Sequence, residues 1–65
     1  MADASKEWGE ANDIGKEAHA RYKALLDGVR GGVSPQRQAV LQAEWQAIHH
    51  SWYAAVQRAL AKEAE

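Results

Sequence analysis

The chain has no cysteine, no phenylalanine, a single proline and no long apolar run. Without cysteine, neither a disulfide nor a thiolate metal site can hold a fold together. A bilayer-spanning helix needs roughly 20 consecutive apolar residues, and no stretch approaches that length. The segment after Met1 has no basic patch followed by an apolar run, so no secretory signal peptide is expected and the default is a soluble intracellular protein. An excess of one charge is also missing. Eight Lys and Arg face nine Asp and Glu, a net charge of −1, which makes no electrostatic case for nucleic acid or anionic lipid. β-branched residues are scarce and alanine is abundant, a balance that favours helix over strand.

What remains is a chain of 65 residues, one small domain at most. A chain of this size buries only about 60% of its unfolded surface and is marginal alone. With disulfides excluded, association with another chain is the expected remedy.

Two helix-forming stretches are joined by Gly31-Gly32-Val33-Ser34-Pro35. Helix 1 is expected over about 4–30, capped by Asp3 or Ser5. Along it Ala4, Trp8, Ala11, Gly15, Ala18, Tyr22, Leu25 and Val29 recur at alternating steps of four and three, the seam of an antiparallel or coiled-coil-like packing. Its first half is weak, because Gly9, Asn12, Asp13 and Gly15 all have low helix propensity. Residues 1–14 are therefore expected to fray unless a partner holds them. Gly31 or Gly32 can end the helix in the left-handed conformation. Ser34 followed by Pro35 starts the next one, serine as cap and proline where no hydrogen bond is lost. With a turn at 31–34 and helix 2 over about 35–62, the short loop makes the helices antiparallel. The charged tail after Ala61 is expected to fray. The fold class is all-α: a two-helix hairpin that completes its core by oligomerisation or by docking on a partner.

Helix 2 carries two apolar stripes. Leu41, Trp45, Ile48, Trp52 and Val56, continued by Ala55 and Ala59, form one; Val40, Ala43, Ala47, Ala54 and Ala61 form the other. At about 100° per residue their centres lie roughly 140° apart, so helix 1 cannot cover both. The larger stripe is expected to pack on Ala18, Tyr22 and Leu25 as the hairpin core. Val40, Ala43, Ala47 and Ala54 are expected to face a partner. Gln42, Gln46, His49, Tyr53 and Gln57 fall on the polar side between the stripes. Three tryptophans in so short a chain are notable because tryptophan is enriched among residues that dominate binding energy. Trp8, on the weak half of helix 1, is the candidate for ordering on a partner.

Chemistry-bearing patterns are sparse. A helical di-metal site wants Glu-x-x-His pairs, yet Lys16, Gln46 and Ala47 stand three residues before His19, His49 and His50. Adjacent histidines on a helix diverge by about 100°, so His49 and His50 do not readily share one ion. No nucleophile has a base and orienter, and no phosphate or dinucleotide loop is visible. No enzyme activity, metal or cofactor is expected.

The run Arg30-Gly31-Gly32-Val33-Ser34-Pro35-Gln36, followed by Leu41-Gln42-Ala43-Glu44-Trp45-Gln46-Ala47-Ile48, resembles the small co-chaperones of type III secretion needle subunits. The resemblance covers roughly residues 28–56. It implies a cytoplasmic bacterial helical hairpin that pairs with a helical-repeat chaperone and keeps the needle subunit unpolymerised before export. A homodimeric four-helix-bundle regulator of RNA or transcription is the alternative from another class, and a needle-like secretion subunit a neighbouring one.

Overall fold

A computed structural model describes residues 3–65. Two helices, α1 (Ser5–Arg30) and α2 (Pro35–Ala64), lie side by side as an antiparallel hairpin, and no strand occurs among the described residues. The contacts run in opposite directions along the two helices. Trp8 meets Glu63, Gly15 meets Trp52, Arg21 meets Glu44 and Gly28 meets Leu41. The rod measures 50 × 14 × 11 Å with a radius of gyration of 15.0 Å, against about 11 Å for a compact domain of this length.

The turn is a Schellman motif. Gly32 takes φ 73°, a conformation that costs a residue with a Cβ about 1–2 kcal/mol. The Val33 amide donates to the Gly28 carbonyl at 3.1 Å and the Gly32 amide to the Val29 carbonyl at 3.2 Å. Two carbonyls left without partners at the end of α1 are thereby satisfied. Gly28 has a packing role as well. A Cβ there would meet the Leu41 Cδ1 at 2.8 Å and the Val33 Cγ2 at 3.4 Å, so Leu41 in the second turn of α2 and Val33 in the loop close over its backbone. On the other side of the turn, Ser34 Oγ accepts the Arg37 amide at 3.2 Å with Pro35 in the first helical position.

The start of α1 differs from expectation. Ala4 is the capping residue and makes no side-chain capping bond. Asp3 instead accepts from the Ser5 backbone amide at 2.9 Å and from the Ser5 hydroxyl at 2.6 Å, occupying one of the donors that a helix start leaves free. Of the segment expected to fray, residues 1 and 2 lie outside the described residues, and from Ser5 onward the chain is continuous helix. Ala4 and Ala11 are buried, and the Trp8 indole donates to the Glu63 carboxylate of α2. These tertiary contacts offset the low propensity of Gly9, Asn12 and Gly15. The same bond anchors the C-terminal segment, where α2 continues to Ala64.

The core also differs from expectation. Among the described residues the five buried apolar ones are all alanines: Ala4, Ala11, Ala18, Ala55 and Ala59. Of the residues expected as core, Ala18 is buried, Leu25, Leu41, Trp45, Ile48, Trp52 and Val56 are half-buried, and Tyr22 is 41% exposed. The reason is size. Ala55 and Ala59 continue the seven-residue lines of Leu41 and Ile48 and of Trp45 and Trp52, so small and large residues share one seam. A methyl group is enclosed between the two backbones, whereas a larger side chain on the same line reaches past them and keeps part of its surface in solvent.

Stability should follow this geometry. Gly9 has nothing within 4 Å of an added Cβ, so Gly9→Ala should raise the unfolding free energy by about 1 kcal/mol through helix propensity alone. Ala59→Leu must force the seam apart and should lower it by about 1–3 kcal/mol. Urea titration followed by far-UV circular dichroism measures both. An Ala59→Leu protein as stable as the parent would contradict close packing at the seam.

Candidate functional site

The rings that reach past the seam form the most distinctive surface of the molecule. Tyr22 of α1 and Trp45 of α2 lie with centroids 5.5 Å apart and planes tilted by 49°. Along α2, Trp45 continues to His49 at 5.2 Å and His49 to Trp52 at 5.7 Å. The four rings make one unbroken ladder. Its spacing along α2 is four residues and then three, which keeps successive side chains on one side of a helix. Tilted ring pairs at these separations are worth about 0.5–1.5 kcal/mol beyond area burial.

Gly15 sets the position of the ladder's end. A Cβ there would come within 3.0 Å of the Trp52 Nε1 and 3.1 Å of its Cδ1, so the indole rests on the bare backbone of α1. Together Gly15, Ala18, His19 and Tyr22 of α1 and Trp45, His49 and Trp52 of α2 line an open groove of about 370 Å³. A second hollow along Asn12, Gly15, Lys16, His19 and Trp52 continues it toward the open end of the hairpin. There Asn12, Trp8 and Glu63 line the last concavity. The aromatic surface therefore runs along one flank from Tyr22 and Trp45 to Trp8.

His49 belongs to this face and not to a polar side between two stripes. The signal was present in the sequence as Trp45-x-x-x-His49-x-x-Trp52. The cross-helix neighbour Tyr22 is what turns that spacing into a continuous surface. His19 is exposed beside the groove. No group of three or more His, Cys, Asp or Glu side chains gathers to hold a metal ion among the described residues.

The opposite flank has a different character. Arg21 bridges Glu44 of α2 at 3.0 Å and lies 3.8 Å from Glu17, an exposed network worth about 0–1 kcal/mol. Ala47, Ile48 and Ser51 line the shallow hollow beside it. Of the residues expected to meet a partner, Ala43 and Ala47 are exposed, Val40 is 46% exposed, and Ala54 is half-buried. Trp8 is half-buried and held within the chain by Glu63. No described helix is long and apolar enough to cross a membrane.

Two ionisable groups at the open end are shifted. The Ser5 hydroxyl and amide hold the Asp3 carboxyl below its ordinary value, and the Glu65 carboxylate hydrogen-bonded to Lys62 raises that ammonium. Both lie at the surface, so they position chain ends and contribute little else. A search with protein-family models, with curated proteins and with solved structures finds no match to this chain.

Two measurements check this geometry. Gly15→Leu should expel the Trp52 ring from its seat on α1, with a red-shifted tryptophan emission and a loss of near-UV dichroism while most helix content remains; an unchanged spectrum would place Trp52 elsewhere. The lowered Asp3 value means its contact with Ser5 is complete above the usual aspartate range and is lost as pH falls through the lowered value. The Ser5 amide shift in an NMR titration should accordingly have its midpoint below 3.8.

Proposed function

We propose that this hairpin is a non-enzymatic protein-docking module that uses its aromatic flank to cover apolar surface on a helical partner. The observation that carries this reading is the ladder Tyr22–Trp45–His49–Trp52, partly open to solvent in a chain whose buried residues, among those described, are alanines. Each alanine methyl withdrawn from water contributes only roughly 0.8 kcal/mol. The rings keep a contiguous apolar surface that a partner can still cover. Aromatic residues in a shallow apolar groove are what a helix-in-groove contact uses as anchors.

The aromatic flank is preferred over the flank of Val40, Ala43 and Ala47 for a physical reason. The latter offers separate aliphatic groups beside the Arg21–Glu44 bridge, whereas the former offers contiguous rings. Residues 28–56, which resemble needle-subunit co-chaperones, give the reading its specific form. In that form the hairpin pairs with a helical-repeat chaperone in a bacterial cytoplasm and keeps a secretion subunit from polymerising.

The test is a light-scattering assay of needle-subunit polymerisation with the subunit's helical-repeat chaperone present, with and without this chain. Suppression is expected with the parent chain and with Ala47→Glu, and its loss with Trp45→Glu at retained helix content. Polymerisation at an unchanged rate with the parent chain removes the co-chaperone form. Suppression abolished by Ala47→Glu and not by Trp45→Glu moves docking to the other flank.

A further inference from the structure

The occupant of the aromatic flank can be argued from area, position and charge. The chain exposes 4750 Å², whereas a compact monomer of 7.2 kDa exposes about 4,100 Å². The excess, roughly 600 Å² per chain, is close to the roughly 600–800 Å² per partner that the smaller specific interfaces bury. A surplus of this size is removed when one such rod lies along another.

Position favours a second copy. The ladder occupies residues 15–22 of α1 (Ser5–Arg30) and 45–52 of α2 (Pro35–Ala64), the middle of both helices. A two-fold axis through its centre, beside Ala18, His19 and His49, lays aromatic surface on aromatic surface and overlaps the two rods along their whole length. Trp8 and Val29 lie on the same heptad line of α1 as Gly15 and Tyr22, equally far to either side of that centre. The axis brings Trp8 of one chain to Val29 of the other, and Val29 is an exposed large apolar residue with no other role.

Charge selects the orientation. The turn half, residues 18–49, holds four basic and two acidic side chains, net +2; residues 1–17 and 50–65 hold four basic and seven acidic, net −3. Side-by-side rods with their turns together place like charges together. Antiparallel rods place each positive turn half against a negative open half. An axis perpendicular to the rods produces this antiparallel arrangement.

We propose that the aromatic flank is closed by a second copy of this chain, docked antiparallel about a two-fold axis beside His19 and His49 to make a four-helix assembly. The proposal rests on the reading of that flank as the docking surface and names its occupant in the isolated chain.

Light scattering after size-exclusion chromatography tests it, at roughly 100 μM because the predicted interface is at the small end of specific ones. The expected mass is twice 7.2 kDa. His19→Glu puts a charge at the axis from a residue that is exposed in the hairpin, and should weaken association at least about tenfold with helix content unchanged. Ala47→Glu on the opposite flank should leave the dimer intact. Orientation is read separately by mixing Asn12→Cys and Leu26→Cys chains under mild oxidation, the parent having no cysteine. Antiparallel docking yields the mixed disulfide, and homodisulfides alone overturn the antiparallel arrangement even if His19→Glu perturbs folding. A folded monomer up to millimolar concentration overturns the second copy as occupant and leaves the docking reading standing. A dimer lost with Ala47→Glu but not with His19→Glu overturns both.

Discussion

Close approach of the two helix backbones governs the rest of this molecule. Among the described residues Ala4 at the cap of α1, Ala11 and Ala18 on α1 and Ala55 and Ala59 on α2 are the ones that lie buried, and side chains that small let two helices pack closely. Gly28 allows the same proximity at the turn, where Leu41 and Val33 close over bare backbone. A seam this narrow buries little area, so it sets geometry more than it supplies stability.

The consequence appears on the flanks. Rings too large to be enclosed by the seam reach past it, and Gly15 gives Trp52 a flat seat on α1. From there the order Trp52, His49, Trp45, Tyr22 follows from helix periodicity on one arm of the hairpin and from antiparallel register on the other. The stack is therefore part of how the hairpin holds together and also a contiguous apolar surface still partly open to solvent. That double role explains why a chain with a folded backbone still leaves substantial surface to cover. The polar bridges at Trp8–Glu63 and Arg21–Glu44 fix the register of the helices without closing either flank.

Much of the fold was legible in the residues. The alternation of four and three along α1, the pair Gly31-Gly32 and the step Ser34-Pro35 each have a local mechanism, and each local mechanism agrees with the hairpin. The start of α1 was less legible. Propensity at Gly9, Asn12 and Gly15 argued for fraying, and only the distant Glu63 and the buried Ala4 and Ala11 reverse that balance. The core was legible in part. Size and spacing placed Trp45, Trp52 and Tyr22 on the facing lines, and Tyr22 does meet Trp45 across the helices, but spacing does not say how far a large ring reaches past its neighbours into solvent.

By itself, then, the sequence determined the all-α class, the tight turn and the helix ends on either side of it, because these depend on contacts within a few residues. The tertiary structure alone decided how deeply each residue of the seam lies. Ala4, Ala11, Ala18, Ala55 and Ala59 are enclosed, while Tyr22, Trp45 and Trp52 on the same lines stay partly exposed. That outcome depends on how far each side chain reaches past its neighbour on the other helix, which periodicity along one helix does not contain, and it is what brings His49 into line with the rings.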